Sequence, residues 1–260
     1  MEKSPNQNND VTENSSETKK SIFIPKETMK RLLLDIKDII KEPLHDQFIY
    51  YKHSDEDMLV GYAMIIGPED SLYFGGYYFF KFDFPINYPH SPPSVTYLTN
   101  DGETRFHPNL YKTGKVCLSI LNTWRGEQWT GCQTIKSVLL TIMSVMDKKP
   151  LLHEPGITES HFDFNKYKNI IEYKNIDFSI IRILNNYKIN TIVMEYKDYF
   201  YPFMVLAFEK NAKKINEFLL LPNKPNGIHS TSIYTMHLNI NYENTLRNFK
   251  SLMEKMKIEN

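Results

Sequence analysis

Two cysteines in 260 residues are too few for a disulfide framework, and a closed zinc site would need three or four Cys or His ligands at short spacings that this chain does not offer. An excess of one charge is missing too. The 31 Lys and Arg balance 31 Asp and Glu, which removes any bulk attraction to nucleic acid or to an anionic membrane. No apolar run approaches the roughly 18 residues of a membrane span, and the first twenty residues carry no apolar segment of the signal-peptide kind. These absences lead us to expect a reducing compartment, cytosol or nucleus. There are no internal repeats. What is present is 41% hydrophobic and 13% aromatic residues, enough for one sizeable core with room for a small second unit.

Residues 1–21 are Ser, Asn, Glu and Lys with almost nothing apolar, a composition that cannot offset the entropy of ordering a backbone, so a disordered tail is expected. Over 26–41, Met29, Leu32, Leu33, Ile36, Ile39 and Ile40 recur at helical spacing with Pro43 just beyond, which predicts an amphipathic helix docked on a sheet. The runs 48–51, 59–66, 77–84 and 94–98 are β-branched and aromatic, separated by Gly, Pro, Asp and Glu, and predict a four-stranded antiparallel meander. Pro85, Pro89, Pro92 and Pro93 exclude regular structure from the loop before the fourth strand. A central helix is predicted from Thr130, with Thr130 and Gln133 as a capping box, on the stripe Ile135, Val138, Leu139, Ile142, Met143 and Met146. Further helices are expected over 167–184 and 241–256, with 196–221 largely helical and broken at Pro202.

The chemistry-bearing stretch is 106–121. Pro108 fixes its own φ and restricts His107, Asn109 can bond the backbone locally, and Thr113-Gly114-Lys115 reads as a tight turn that returns the Asn109 amide towards Cys117. A lone cysteine is most often buried packing. A thiolate is nevertheless a strong nucleophile even when only a few per cent is ionised from a reference pKa of about 8.5, so Cys117 is the candidate nucleophile. It could hold an acyl group as a thioester. Cys132, near the predicted helix start, is expected to pack, and Trp124 and Trp129 to anchor the loop between them by burial.

His107-Pro108-Asn109, with Cys117 ten residues after the histidine, resembles the catalytic signature of ubiquitin-conjugating (E2) enzymes. The flanking features follow in the family's order: Gly67-Pro68-Glu69-Asp70, Gly75-Gly76, Tyr88-Pro89-His90-Ser91-Pro92-Pro93, and the helix after Trp129. The resemblance covers 22–186. It implies an α+β UBC fold, with an N-terminal helix, a four-stranded antiparallel meander, an active-site loop, a central helix and C-terminal helices. Residues 187–260 would form a mostly helical extension packed on that core. Trp129 stands twelve residues after Cys117 where most E2 enzymes place it about eight after, with Trp124-Arg125-Gly126 between. That spacing and His153-Glu154-Pro155-Gly156 resemble the Z-type class.

The resemblance also implies roles and partners. Cys117 would accept ubiquitin or a ubiquitin-like modifier from an activating enzyme (E1) and pass it to a substrate lysine or a ligase (E3) cysteine. No cofactor is needed, because ATP is used by the E1. Asn109 would stabilise the oxyanion of aminolysis, or else brace its own turn. His107 would chiefly order the loop. Glu154 would be an acidic gate that orients the amine or takes its proton, since a lysine of pKa about 10.4 is rarely neutral at pH 7. Lys30, Arg31 and Lys37 on the first helix would face the E1, and His90 and Pro92 would lie in the ligase-contact loop. His153 departs from the Asn expected beside the gate, His90 from the Phe that RING and HECT ligases grip, and Thr130-Gly131-Cys132 from Ser-Pro-Ala, so common ligases are expected to bind poorly. The competing reading is a non-catalytic UBC-fold scaffold that only binds ubiquitin or a partner. Retention of both Cys117 and Asn109 favours chemistry.

Overall fold

The computed structural model describes residues 23–185 and 196–258; the expected N-terminal tail lies outside them. Helix α1 (Lys26–Lys41) has the predicted bounds but presents a rotated face. It buries Thr28, Leu32, Asp35 and Ile39, while Met29, Leu33 and Ile40 of the expected stripe are exposed. Polar bonds explain the rotation. Asp35 accepts from the Tyr88 hydroxyl and from Arg31 Nε (3.0 Å), and Thr28 Oγ1 donates to the Ile86 carbonyl (2.7 Å). A carboxylate so satisfied can be buried where a bare one could not.

Strands β1 (Ile49–His53), β2 (Val60–Ile66), β3 (Tyr77–Asp83) and β4 (Ser94–Tyr97) form one antiparallel sheet in sequence order. Its β3 opens on Tyr77-Tyr78-Phe79-Phe80, all buried. Successive strand side chains point to opposite faces, so an unbroken apolar run requires cover on both. On one face Tyr78 and Phe80 meet Tyr97, and Tyr78 and Tyr97 pack on Phe106. The other face is covered by the C-terminal helix α4 (Lys197–Leu220), through Phe79 on Phe200 at 5.7 Å between ring centroids and Tyr50 on Phe203 at 4.3 Å, and by Tyr196 just before it, on Tyr62 at 4.4 Å. The Tyr77 hydroxyl donates to the Met204 carbonyl (2.9 Å).

Helix α2 (Ile135–Val145) starts later than expected. Its capping box is Thr134 with Ser137, each side chain bonding the other's backbone N–H, whereas Thr130 and Gln133 close a separate turn just before it. Ser at the third helical position does the work usually read from a Glu. Helix α3 (Phe164–Lys174) runs into a wide π-helical segment, Asn175–Arg182, and a last turn, Ile183–Asn185. In that segment the Asn175 amide bonds at both ends, accepting from the Tyr78 hydroxyl (2.7 Å) and donating to the Phe74 carbonyl (2.9 Å).

Pro202 does not break α4: it sits in the second turn, where its ring disturbs only the bond to the nearby carbonyl four residues back. After α4 the chain departs from the helical expectation. A hairpin of β5 (Gly227–Thr231) and β6 (Met236–Ile240) precedes helix α5 (Tyr242–Lys255). The hairpin tip places Tyr234 and Thr235 at φ 60° and 47°, a left-handed conformation that costs a non-glycine residue about 1–2 kcal/mol. Asp163 holds the tip by accepting from Ser232 N (2.9 Å), Ser232 Oγ (2.8 Å) and Ile233 N (3.0 Å). Burial works against the Asp163 carboxylate, but these donors win and hold its pKa below the usual carboxylate range.

Candidate active site

The tight turn predicted before Cys117 is present. Tyr111 N bonds the Lys115 carbonyl and Gly114 N the Tyr111 carbonyl, both at 2.9 Å. Gly114 has φ 88°, and a Cβ there would stand 3.0 Å from the Tyr97 carbonyl oxygen, so the turn requires glycine. This reversal brings Asn109 and Cys117 together: Cys117 N donates to the Asn109 carbonyl (2.9 Å), and Asn109 Nδ2 donates to the Cys117 carbonyl (2.5 Å). The amide therefore braces the loop. Its Oδ1 is buried without a partner among the described residues.

His107 is wholly buried, and its Nδ1 accepts from Asn109 N (2.9 Å). That bond leaves the ring proton on Nε2. Burial first, and the neighbouring His153 ring second, push the pKa of His107 well below the ordinary histidine value. It stays neutral and orders the turn. The entry to the loop is tied down by two buried tyrosines, Tyr73 donating to the Phe106 carbonyl (2.8 Å) and Tyr167 to the Arg105 carbonyl (2.9 Å).

The Cys117 thiol is only 3% exposed, with Sγ 2.6 Å from the Thr123 carbonyl oxygen, to which it donates. Thr123 Oγ1 accepts from Leu118 N (2.9 Å), and Asn122 Oδ1 accepts from Trp129 N (2.8 Å), so the segment after the cysteine folds back over it. Trp129 is the loop anchor expected, buried with its indole N–H donating to the Pro89 carbonyl (2.7 Å). Trp124 is not: it is 38% exposed, beside a cavity lined by Asn122, Thr123, Arg125, Gln128 and Pro155. Cys132 is exposed rather than packed, because α2 begins three residues beyond it.

Glu154 follows the short turn Pro150–His153, and its Oε2 accepts from the Tyr234 hydroxyl of the hairpin tip. His153 bonds Asp147 Oδ2 (2.9 Å) and lies 5.0 Å from the His107 ring. Between these groups sits Arg105, buried, which donates through Nε to the His107 carbonyl (3.1 Å) and through Nη2 to the Pro108 carbonyl (2.5 Å). Its guanidinium carbon stands 3.2 Å from the Tyr111 ring centroid and 4.8 Å from that of Tyr234. Sequence reading passed over Arg105, Thr123 and Tyr234. Only Arg105 carried a signal, as a cation immediately before the 106–121 stretch.

Of the five partner-facing candidates, Pro92 lines a cavity with Thr113, Gly114, Lys115 and Val116 of this loop, and the other four stand on α1 and in the loop before β4. Lys30 and Lys37 are exposed on α1. Arg31 is committed inside the fold, paired with Asp35 and donating to the carbonyls of Gly131 and Gln133, which staples α1 to the segment before α2. His90 is exposed, 3.4 Å from Glu27, and Pro92 is half-buried on the loop before β4. Among the described residues no cluster of three or more His, Cys, Asp and Glu side chains is gathered in metal-holding proximity.

Residues 26–176 match the family model described as "Ubiquitin-conjugating enzyme". The chain is 39% identical over 157 residues to ubiquitin-conjugating enzyme E2 Z of Xenopus tropicalis, covering 59% of this chain and 50% of that protein. It is 40% identical over 153 residues to E2 Z of Homo sapiens, covering 58% and 43%. The match thus spans about half the length, or less, of these curated relatives.

Proposed function

The chain belongs to the ubiquitin-conjugating enzyme family, and from that premise we propose that it accepts ubiquitin or a ubiquitin-like modifier as a thioester on Cys117 and transfers it to a lysine amine or a ligase cysteine. The family supports a transferase role. The observation that carries the finer reading is the pairing of Cys117 with Asn109 across one turn, each bonding the other's backbone. In loading, the Cys117 thiolate attacks the carbonyl carbon of the modifier's thioester and the thiolate of the E1 leaves. In discharge to lysine the amine attacks that carbonyl, loses a proton, and expels Cys117 as a thiolate. Between attack and expulsion, negative charge gathers on the carbonyl oxygen, where an amide donor from Asn109 stabilises it. Asn109 Nδ2 holds the Cys117 carbonyl with one of its two hydrogens and has the other to offer, whereas the buried thiol must leave Thr123, so loading requires the segment after Cys117 to lift.

No cofactor enters these steps, ATP being spent by the E1, and cytosol or nucleus is the setting we propose. The E1, an E3 for ligase-dependent transfer, and the modifier are the partners. Lys30 and Lys37, with Arg31 behind them, form the proposed E1 side of α1, and His90 and Pro92 the proposed ligase side.

The test is incubation with ATP, a panel of E1 enzymes and their modifiers, followed by electrophoresis with and without reductant. Wild-type protein should give a reducible shifted band. Cys117→Ser, which replaces a thiol by a hydroxyl, should lose it and leave at most a slow, reductant-resistant ester. Failure of the wild type with every modifier puts the binding-only scaffold in its place, and a reducible band that persists in Cys117→Ser moves the nucleophile to exposed Cys132.

A further inference from the structure

The β5–β6 tip lies against the active-site loop, and most of its contacts there pass through one residue. The Tyr234 ring and the Tyr111 ring enclose Arg105, at 4.8 and 3.2 Å from the guanidinium carbon. The Tyr234 hydroxyl donates to Glu154, and its backbone carbonyl accepts from Lys112 Nζ (2.8 Å), a lysine of the same loop. Lys112 also reaches the Thr235 carbonyl (3.2 Å), and Arg105 N lies 3.3 Å from Met236 Sδ. Arg105 in turn donates to the carbonyls of His107 and Pro108. The backbone that presents Asn109 is thus held by an arginine that is itself held by the hairpin.

Nothing in hairpin formation calls for this residue. A tip with φ positive at two successive positions is made most easily from Gly or Asn, yet here it is Tyr-Thr, held in that conformation by Asp163 below and Lys112 above. Strained backbone that persists because its surroundings over-determine it is found disproportionately where geometry matters to function. The hydroxyl is also a dependable donor. Burial, and then Glu154 itself, push the pKa of Tyr234 well above the ordinary tyrosine value, so it keeps its proton at any working pH.

We propose that Tyr234 is a positioning residue for discharge to lysine: its ring fixes Arg105 under the His107-Pro108-Asn109 turn, and its hydroxyl aims the Glu154 carboxylate. This rests on the transferase function proposed above. A carboxylate has lone pairs to spare beyond one bond, so the Tyr234 hydroxyl orients Glu154 without using it up. Tyr234 touches neither modifier nor amine and acts only through Arg105 and Glu154.

The experiment is single-turnover discharge to free lysine by pre-loaded wild type, Tyr234→Phe, Glu154→Ala and the double variant, with loading measured alongside. Loss of one hydrogen bond to a charged group should slow discharge by Tyr234→Phe about tenfold, while loading stays within about twofold of wild type. On a Glu154→Ala background the same change should cost nothing further, a non-additivity that general loosening of the fold would not produce. Wild-type discharge by Tyr234→Phe, additive losses, or equal loss of loading and discharge would each overturn the proposal. The second readout is amide hydrogen exchange at Asn109, Leu110 and Cys117. Exchange should quicken in Tyr234→Leu, which removes the ring from Arg105, and stay unchanged in Tyr234→Phe. Should the wild type never load, the proposed function falls, and exchange alone decides whether Tyr234 holds the loop: no change in Tyr234→Leu would sink it.

Discussion

Two of the contacts that the C-terminal extension makes with the rest of the molecule are built from different materials. Where α4 covers the sheet, the contact is ring on ring: Phe200 on Phe79, Phe203 on Tyr50, Tyr196 on Tyr62, with the Tyr77 hydroxyl adding a bond to the Met204 carbonyl. Where the hairpin tip meets the active-site loop, the contact is a set of directed bonds from Lys112, Arg105, Tyr234 and Asp163. Apolar burial is non-directional and scales with area, so the first contact stabilises and tolerates swaps of similar volume. Hydrogen bonds and charge contacts fail steeply with angle and distance, so the second fixes geometry. One segment of chain supplies both stability and aim.

That division can be broken from either side. The largest effect should come from Phe200→Ala, which empties a fully buried site under β3 and should cost about 3–5 kcal/mol of unfolding free energy. Denaturant titration measures it, and in whatever protein stays folded the ratio of discharge to loading should be that of wild type; a changed ratio would mean the two contacts are not separable. Asn109→Ser strikes the other side. It should load and then discharge to lysine about 10² to 10³ times more slowly, while loss of its bond to the Cys117 carbonyl lowers stability by only about 1 kcal/mol. Loading that falls in step with discharge would make Asn109 a loop brace and nothing more. The smallest effect belongs to Tyr77→Phe, which removes the bond to Met204 and keeps the ring, so about 1 kcal/mol should be lost with no change in either reaction step.

Most of the architecture could be read ahead of the structure, because it follows from local signals. β-Branched and aromatic runs between turn residues placed all four strands within about two residues, and the bounds of α1 followed from its apolar spacing and Pro43. The reversal that joins Asn109 to Cys117 was readable because Pro108 and Gly114 leave the backbone few choices. What escaped depended on distant partners. Arg31 stands one turn from Asp35, but nothing near Asp35 announces that Tyr88, far along the chain, will help make it buriable, so the face of α1 was not legible. The β5–β6 hairpin escaped because β5 is mostly polar and its tip lacks the Gly or Asn that marks such turns, so the alternation of Met236, Leu238 and Ile240 in β6 had no evident strand to pair with. Tyr234 therefore looked like one more aromatic in an aromatic-rich chain, and its place beside Arg105 and Glu154 exists only in the folded molecule.

The two-sided burial of β3 also imposes an order on synthesis. The ribosome delivers β1 through β4 long before the residues of α4, and until those emerge one face of the sheet, carrying Tyr50, Tyr62, Tyr77 and Phe79, has nothing to cover it. Exposed aromatic surface of that kind draws other nascent chains, the route by which slowly completed domains aggregate. The α4 segment thus closes a sheet made well before it. A fragment ending short of residue 197 would carry that bare face for its whole lifetime.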